Sequence, residues 1–537
     1  MKRTLPSWLH KAVFYQIYPQ SFYDSNNDGV GDIPGIIEKL DYLETLGVNA
    51  LWINPCFVSP FQDAGYDVAD YYQVAPRYGT NQDLEKLFAE AKQRGMRVLL
   101  DLVPGHTSVE HPWFQESQKH KVNPYTDYYI WNNSIWDMPL EDLQVIRGYG
   151  ERDAGYITNF FWFQPALNYG FTQTDPAYSW MQTVDAPGPN MVREEIKKIM
   201  SYWLEKGASG FRVDMAASLV KRDLDKTETA RFWRWIRDWL EETYPDVVMV
   251  SEWGSPAQAI PAGFHVDFLL GFNNPGWVSL FRKRGNGRWR DPYSWSFFDE
   301  SGHGDIRQFL DEYLYYLEKI SDQGYIALIT GNHDETPRLA NGRSQAMMKL
   351  IYLFLLTMPG TPFIYYGDEI GMRFRDLPSK EGGYTRTGAR TPMQWSNEKN
   401  AGFSGAAAES LYLPVDPAKN CPTVTEQDAD PDSLLNRIRE LIRLRQALPA
   451  LDADAKFEVV YAESGKLPFV YSMTKDKQKL IIALNPSGQR VSIDLPLNIS
   501  DTVPEVIDAP ENTEIKRMDS GWHLSLGPVS GAIYRIS

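Results

Sequence analysis

Residues 210–214, Gly-Phe-Arg-Val-Asp, put Arg212 and Asp214 two positions apart in a run that reads as a short strand. The period-two pleat points both side chains to one face. Other polar residues stand at the ends of apolar runs in the same way. Asp101 and His106 follow or close VLLDLV (98–103), Glu252 closes VVMVSE (247–252), and His333 and Asp334 follow YIALIT (325–330). Carboxylates gathered with an arginine and histidines suit glycoside hydrolysis. There one carboxylate attacks the anomeric carbon, or activates the water that does, and a second carboxyl protonates the leaving oxygen. A cation beside a carboxylate keeps it ionised, so Arg212 favours Asp214 as the charged member. Glu252 follows VVMV and precedes Trp253. Desolvation there raises a carboxyl's pKa, which suits the acid. Each signal alone is ordinary, since a lone Arg-x-Asp on a strand is more often a structural ion pair. Their recurrence on successive strands carries the catalytic reading.

The elements that must position these groups alternate. Strand-like runs at 13–22, 50–55, 98–103, 210–214, 247–252, 266–272, 325–330 and 361–367 are separated by amphipathic stretches. Thr80 to Asp83 resembles a capping box opening a helix that Gly95 closes. PGIIEKLDYLETLG has Pro34 near its start and Gly47 at its end. VREEIKKIMSYWLEKG starts a helix that stops at Gly207. Eight strand–helix alternations predict an α/β fold, a (β/α)8 TIM barrel, whose catalytic groups gather at the C-terminal strand ends. An open doubly wound sheet is the structural alternative. An aromatic- and Asn-rich excursion reads as a subdomain inserted after the third strand, and beyond 452 the period turns to two. The expected domains are a barrel at 1–103 and 189–452, an inserted subdomain at 104–188, and a C-terminal antiparallel β-sandwich at 453–537.

The chain has 537 residues, with 70 acidic against 54 basic side chains and a net charge of -16. That balance argues against nucleic acid, whose phosphates want a positive surface, and against anionic membranes. No run approaches the roughly 18 apolar residues of a membrane span, and no secretory leader is evident. Cys56 and Cys421 form no disulfide framework, so a reducing, cytoplasmic compartment is expected.

With these residues in view, the sequence resembles the α-amylase superfamily (glycoside hydrolase family 13), in the branch of oligo-1,6-glucosidases, α-glucosidases and trehalose synthases. AGYDVADY, DLVPGHTS, QPALN, GFRVD, SEW, GNHDETPR, TPFIYYGDEIGM and ARTPMQW run in the family's order over roughly residues 10–400. The resemblance implies a retaining mechanism through a glycosyl-enzyme. Asp214 would be the nucleophile, Glu252 the general acid/base, and Asp334 the third carboxylate, which stabilises the oxocarbenium-like transition state. Asp63, Tyr66, His106, Arg212 and His333 match residues that hold the sugar. Arg386 stands where a sugar-contacting arginine belongs, although Thr387 follows it in place of Asp. Small α-glucosides are the expected partners. Whether water or a second sugar takes the glycosyl group is open, and an inactive binding module would be expected to lack the three carboxylates.

The stretch DSNNDGVGD alternates Asp24, Asn26, Asp28 and Asp32 with small residues, an all-oxygen set that suits Ca2+. By resemblance the carbonyl of Val30 joins them at a structural site, with Mg2+ as a second occupant. The alternative is an Asn/Asp turn without metal. Gly105 stands where relatives carry an Asn that helps bind a second calcium, so that site is expected to be absent. Ala166 replaces a usual Asp. Met215 follows the nucleophile, where relatives carry Val or Thr, and leaves the linkage preference open. Residues 171–187 are longer than in relatives, and Trp180 there either shapes the pocket mouth or packs beneath a surface loop. Trp131, Trp136, Trp162 and residues 160–163 offer further aromatic faces, of which a minority is expected to meet sugar.

Overall fold

The computed structural model describes residues 3–137, 141–271, 273–282, 295–321, 323–334, 336–381, 385–496, 503–519 and 521–536. Residues 138–140 of the expected insert, Phe272 at the end of the sixth expected strand, and 497–502 of the C-terminal region lie outside the described residues.

All eight expected strands form, seven of them shorter than expected and the third shifted by one residue. They are β1 (Phe14–Ile17), β2 (Ala50–Ile53), β3 (Arg97–Leu102), β4 (Gly210–Val213), β5 (Val248–Ser251), β6 (Val266–Phe268), β7 (Tyr325–Ile329) and β8 (Thr361–Tyr365). They pair in parallel and close into one barrel in chain order. Phe14, Trp52, Leu99, Val250, Phe268, Ala327 and Phe363 fill its interior, and the rings of Phe14 and Phe363 stack 4.2 Å apart. Full burial of each such aromatic is worth about 2–3 kcal/mol. Gly210 is required where it stands, because its φ is +152° and a Cβ there would lie 2.0 Å from the Val248 carbonyl oxygen. That close approach of β4 to β5 sets Arg212 beside Asp101 on one side and Val250 on the other.

The helix Asn81–Gln93 opens on the expected Thr80–Asp83 capping box. The stretch expected as one helix from Pro34 to Gly47 is two, Ile33–Glu38 and Leu40–Leu46, and Gly47 ends the second in the left-handed region. The helix before β4 starts earlier than its VREE motif, at Pro187, and runs to Glu205. Proline is favoured in a first helical turn because its missing N–H is not needed there.

Between β3 and that helix, an antiparallel hairpin (Gln144–Arg147 with Gly155–Thr158) packs over the loop 171–186. Ile130, Ile157, Ala166, Phe171 and Met181 form a small apolar cluster there, with Tyr178 and Trp180 against it. Trp180 meets the edge of Phe171 at 5.9 Å, so of its two expected places it takes the packed one. Ala166 is fully buried in this cluster, where an Asp would be an unpaired charge.

After the helix Leu434–Ala447, eight antiparallel strands, β9 (Lys456–Tyr461), β10 (Phe469–Lys475), β11 (Gln478–Asn485), β12 (Val491–Pro496), β13 (Glu505–Asp508), β14 (Glu514–Met518), β15 (Gly521–Leu526) and β16 (Ser530–Ile536), build a five-stranded and a three-stranded sheet. Their period of two has a physical reading. Val470, Ile481 and Ala483 join Trp522 and Leu524 in one cluster, while Phe469, Tyr471, Leu480 and Ile482 join the main core of the barrel and its helices.

Candidate active site

The C-terminal strand ends and the loops that follow them meet around a cavity of about 480 Å3. Asp63, Tyr66, His106, Asp214, Glu252, Asp334 and Arg386 line it, together with Gln144, Asn159, Phe160, Phe161 and Met215. Arg212 and His333 lie directly beneath, each almost fully buried.

Arg212 is the centre of the floor. Its Nη1 lies 2.8 Å from Asp101 Oδ1 and 2.9 Å from Asp214 Oδ1, and its Nη2 lies 2.9 Å from Glu252 Oε2. The expected Arg212–Asp214 pair is therefore one guanidinium shared by three carboxylates. It cannot neutralise all of them. Burial pushes Asp101 up to about 6 against the pull of Arg212. Burial first, and then Glu252, raise Asp214 well above the usual carboxylate range. Asp214 and Glu252 thus stand together on one guanidinium, each 2.9 Å from a nitrogen of Arg212. Asp214, expected from sequence to be kept ionised by Arg212, is instead pushed toward its neutral form, because burial and the neighbouring Glu252 outweigh that cation. The Met215 backbone N–H also donates to Glu252 Oε2 at 3.0 Å.

The turn that presents Glu252 is held from β6. Asp267 accepts from Ser251 Oγ at 2.6 Å, from the Trp253 N–H at 3.1 Å and from the Ser255 N–H at 2.9 Å. Burial pushes this carboxyl up to about 7.

Histidine 333 has a defined tautomer. Gln16 Nε2 at 3.0 Å and Asn54 Nδ2 at 3.3 Å both face its Nδ1. The ring proton therefore sits on Nε2, which is 2.7 Å from the Tyr66 hydroxyl and 3.6 Å from Asp334 Oδ2. The Tyr66 hydroxyl donates in turn to Asp101 Oδ2 at 3.0 Å. Burial holds the His333 pKa down to about 3, so the ring is neutral. His106 is likewise neutral, held by burial at about 4. Its Nε2 donates to the Tyr66 carbonyl at 3.2 Å, and its buried Nδ1 has no protein partner.

Asp334 sits between two guanidiniums, with Arg386 Nη1 at 2.7 Å and Arg390 Nη2 at 2.8 Å from its Oδ1. Burial would raise it, but His333, Arg386 and Arg390 outweigh that and hold it well below the usual carboxylate range. Arg386 also reaches Asp63 Oδ1 at 3.0 Å, and Gln164 Nε2 donates to Asp63 Oδ2 at 2.8 Å. Thr387, in place of the relatives' Asp, accepts the Lys380 N–H on its hydroxyl at 3.0 Å and ties the loop across its ends.

All nine candidate catalytic and sugar-holding residues thus meet at one site. Arg390, Gln164, Asp267, Gln16 and Asn54 join them and were not singled out from sequence. ARTPMQW and QPALN contain the first two, so motif position was a usable signal for them; the other three had none. Of the aromatics, Phe160 and Phe161 reach the cavity, Trp131 is buried against Phe114, and Trp136 is 82% exposed. Gly105 gives room to Asn159, whose Nδ2 donates to the Gly105 carbonyl at 2.8 Å and whose Oδ1 accepts from Lys221 Nζ at 2.6 Å.

The loop of Asp24 to Asp32 is held by its own turn bonds. Asp24 accepts from the N–H groups of Asn27 and Gly29 and from Ser404 Oγ, Asp28 from Val30, and Asp32 from Gly35 and Ser25. Among the described residues no group of three or more His, Cys, Asp or Glu side chains is gathered closely enough to grip an ion. The donor set itself, all oxygen and rich in carboxylate, fits a hard dication.

A closed parallel barrel with carboxylates on its C-terminal rim defines a class of glycosidase, and comparison with known proteins narrows it. The α-amylase catalytic-domain model matches residues 16–454. An oligo-1,6-glucosidase of Heyndrickxia coagulans is 30% identical, covering 92% of this chain and 94% of its own. The trehalose synthase/amylase TreS of Mycolicibacterium smegmatis is 32% identical over 88% of this chain and 83% of its own. Among solved structures, an isomaltulose synthase variant from Erwinia rhapontici NX5, in complex with sucrose, superposes with a TM-score of 0.80 at 26% identity over 100% of both chains. The chain belongs to the α-amylase family, glycoside hydrolase family 13, and is a glycosidase.

Proposed function

We propose that the protein is a retaining α-glucosidase of short α-glucosides, with Asp214 as nucleophile, Glu252 as general acid/base and Asp334 as the charge that stabilises the transition state. The observation that carries this reading is that Arg212 holds Asp214 and Glu252 side by side, each at 2.9 Å, in a cavity whose third carboxylate is held ionised. Inverting enzymes keep their carboxyls roughly 6.5–9.5 Å apart to seat a water, whereas retaining pairs stand closer. In the first step an Asp214 oxygen bonds to the anomeric carbon. The glycosidic C–O bond breaks, and a proton passes from Glu252 to the leaving oxygen. Glu252 then takes a proton from water, whose oxygen displaces Asp214. Asp63, Arg386 and Gln164 join across the wall of the cavity, and His106 Nδ1 and Tyr66 offer polar groups to sugar hydroxyls. A closed end of this kind favours a terminal glucosyl unit over the interior of a polymer.

A second reading keeps the same covalent intermediate and changes the acceptor to a sugar, giving transfer or isomerisation of sucrose, maltose or trehalose. The trehalose synthase and isomaltulose synthase relatives favour it. Chromatography of products from maltose, isomaltose, sucrose and trehalose at high sugar concentration separates the two. Free monosaccharides alone, glucose with fructose from sucrose, support hydrolysis, and rearranged disaccharides support transfer. Asp214→Asn is expected to lose activity on an aryl α-glucoside; wild-type rates would eliminate the assigned nucleophile.

Calcium at Asp24, Asn26, Asp28, Asp32 and the Val30 carbonyl, as a structural ion, is part of this proposal, and no catalytic step depends on it. Cys56 and Cys421 are both unpaired, which accords with action in the cytoplasm. Among the described residues no helix is long and apolar enough to cross a membrane.

A further inference from the structure

We infer that Glu381, outside the cavity and outside every motif noted above, is a positioning residue for the reaction: through Arg390 it sets the orientation of Asp334 and the net charge of the group around it. The inference rests on the proposed glycosidase reading and deepens it.

Three observations lead there. First, Glu381 has a φ of +60°. That left-handed conformation costs a side-chain-bearing residue roughly 1–2 kcal/mol, and such strain persists where the surroundings over-determine it. Secondly, its carboxylate is only 3% exposed and every direction around it is filled. Tyr18 OH donates to Oε2 at 2.9 Å, Gln20 Nε2 to Oε1 at 2.9 Å, Tyr412 OH also to Oε1, and Arg390 Nη1 lies 3.4 Å from Oε2. Thirdly, Arg390 gives its other edges to the catalytic turn. Its Nε donates to the His333 carbonyl at 2.8 Å and its Nη2 to Asp334 Oδ1 at 2.8 Å. The Tyr18 ring lies nearly parallel to the His333 ring, 6.3 Å away.

Charge counting gives this arrangement a function. Two guanidiniums, Arg386 and Arg390, flank Asp334, and by themselves they would more than cancel it. Each is shared with a second carboxylate, Arg386 with Asp63 and Arg390 with Glu381. Three carboxylates against two cations leave one net negative charge at the site where an oxocarbenium-like centre develops. Removing the Glu381 charge brings that balance to zero without touching the substrate. Stabilisation realised only in the transition state appears in kcat.

The test is Glu381→Gln, which keeps the length and an acceptor oxygen and deletes the charge. On an aryl α-glucoside kcat is expected to fall about 10–100-fold, with KM within about threefold. By calorimetry, the cationic mimic 1-deoxynojirimycin is expected to bind at least about tenfold more weakly, with glucose affinity nearly unchanged. Glu381→Asp, which retains the charge and tolerates the left-handed region, is expected to recover part of the loss. In an Arg390→Gln background the Glu381→Gln step is expected to cost less than about twofold, since coupled residues do not add. Equal weakening of glucose and mimic, full additivity with Arg390→Gln, or wild-type kcat would overturn the inference. If Glu381→Gln does not fold, Glu381→Asp decides alone: a cationic mimic bound no better than glucose would sink the charge role. A wild-type protein that binds neither ligand would instead remove the glycosidase reading beneath it.

Discussion

Replacing Asp334 by Asn separates catalysis from stability to an unusual degree. Neutralising a carboxylate between two arginines is dangerous where the group is buried, because the cations are left unpaired and a broken buried pair costs about 3–5 kcal/mol; the Asp334 side chain is 36% exposed, which already lowers that cost. Here each guanidinium has a second anion, Asp63 at 3.0 Å from Arg386 and Glu381 at 3.4 Å from Arg390. Arg390 also keeps its bond to the His333 carbonyl. The fold should therefore lose little, and the melting temperature is expected to move by only a few degrees. The catalytic loss is another matter. A carboxylate about 4 Å from a developing unit charge contributes about 4 kcal/mol at an effective dielectric of about 20. With about 1.4 kcal/mol per factor of ten, kcat/KM should drop about a thousandfold. The assay is initial-rate kinetics on an aryl α-glucoside, paired with a thermal melt of the same preparation. A variant within tenfold of wild type would refute the electrostatic role. A melting temperature that collapsed with the activity would refute the argument that the arginines remain paired.

Glu252→Gln should lose most activity on substrates with poor leaving groups and less on activated aryl glucosides, and equal loss on both would remove it from the acid role. Stability should decline from pH 5 to pH 8, in part through Glu369. Burial pushes this carboxyl from 4.5 up to about 7, so the folded state holds a proton that the unfolded state has released. Stability is then fully present below pH 4.5 and is lost as pH rises through 7, by about 3 kcal/mol. Glu369→Gln, which keeps acceptors for Tyr15 and Tyr42, should flatten the pH dependence of the melting temperature; a curve parallel to wild type would contradict this. EDTA should lower the melting temperature by several degrees and Ca2+ should restore it, whereas a melt indifferent to both would remove the ion from the Asp24–Asp32 loop.

Much of the architecture was legible because a parallel barrel buries its strands on both faces. Each strand is then a short apolar run, and a polar residue at its end stands out. Asp101, Glu252 and His333 were visible for this reason, and Arg212 by its period-two spacing from Asp214. What resisted reading depends on contacts between remote segments. Nothing around Glu381 marks it, since its partners Tyr18, Gln20, Arg390 and Tyr412 are far apart in sequence and meet only because β1 and β8 pair to close the barrel. The protonation pattern was also hidden. A dipeptide spacing gives the Arg212–Asp214 pair, but only the close approach of β4 to β5 at Gly210 brings Glu252 to the same guanidinium. Trp180 was ambiguous because an aromatic on a long loop fits a pocket rim as well as a satellite core, and the neighbouring Phe171 and Met181 decide between them.

Gln16, near the start of the chain, fixes the imidazole of His333 across 317 positions, and the arginine that steadies the next residue arrives only at 390. A polypeptide emerging from the ribosome therefore displays the proposed nucleophile long before the site around it is complete. Until the ring of strands is sealed, a sugar meets no competent centre, and a product of premature termination inside the barrel would be inert rather than promiscuous.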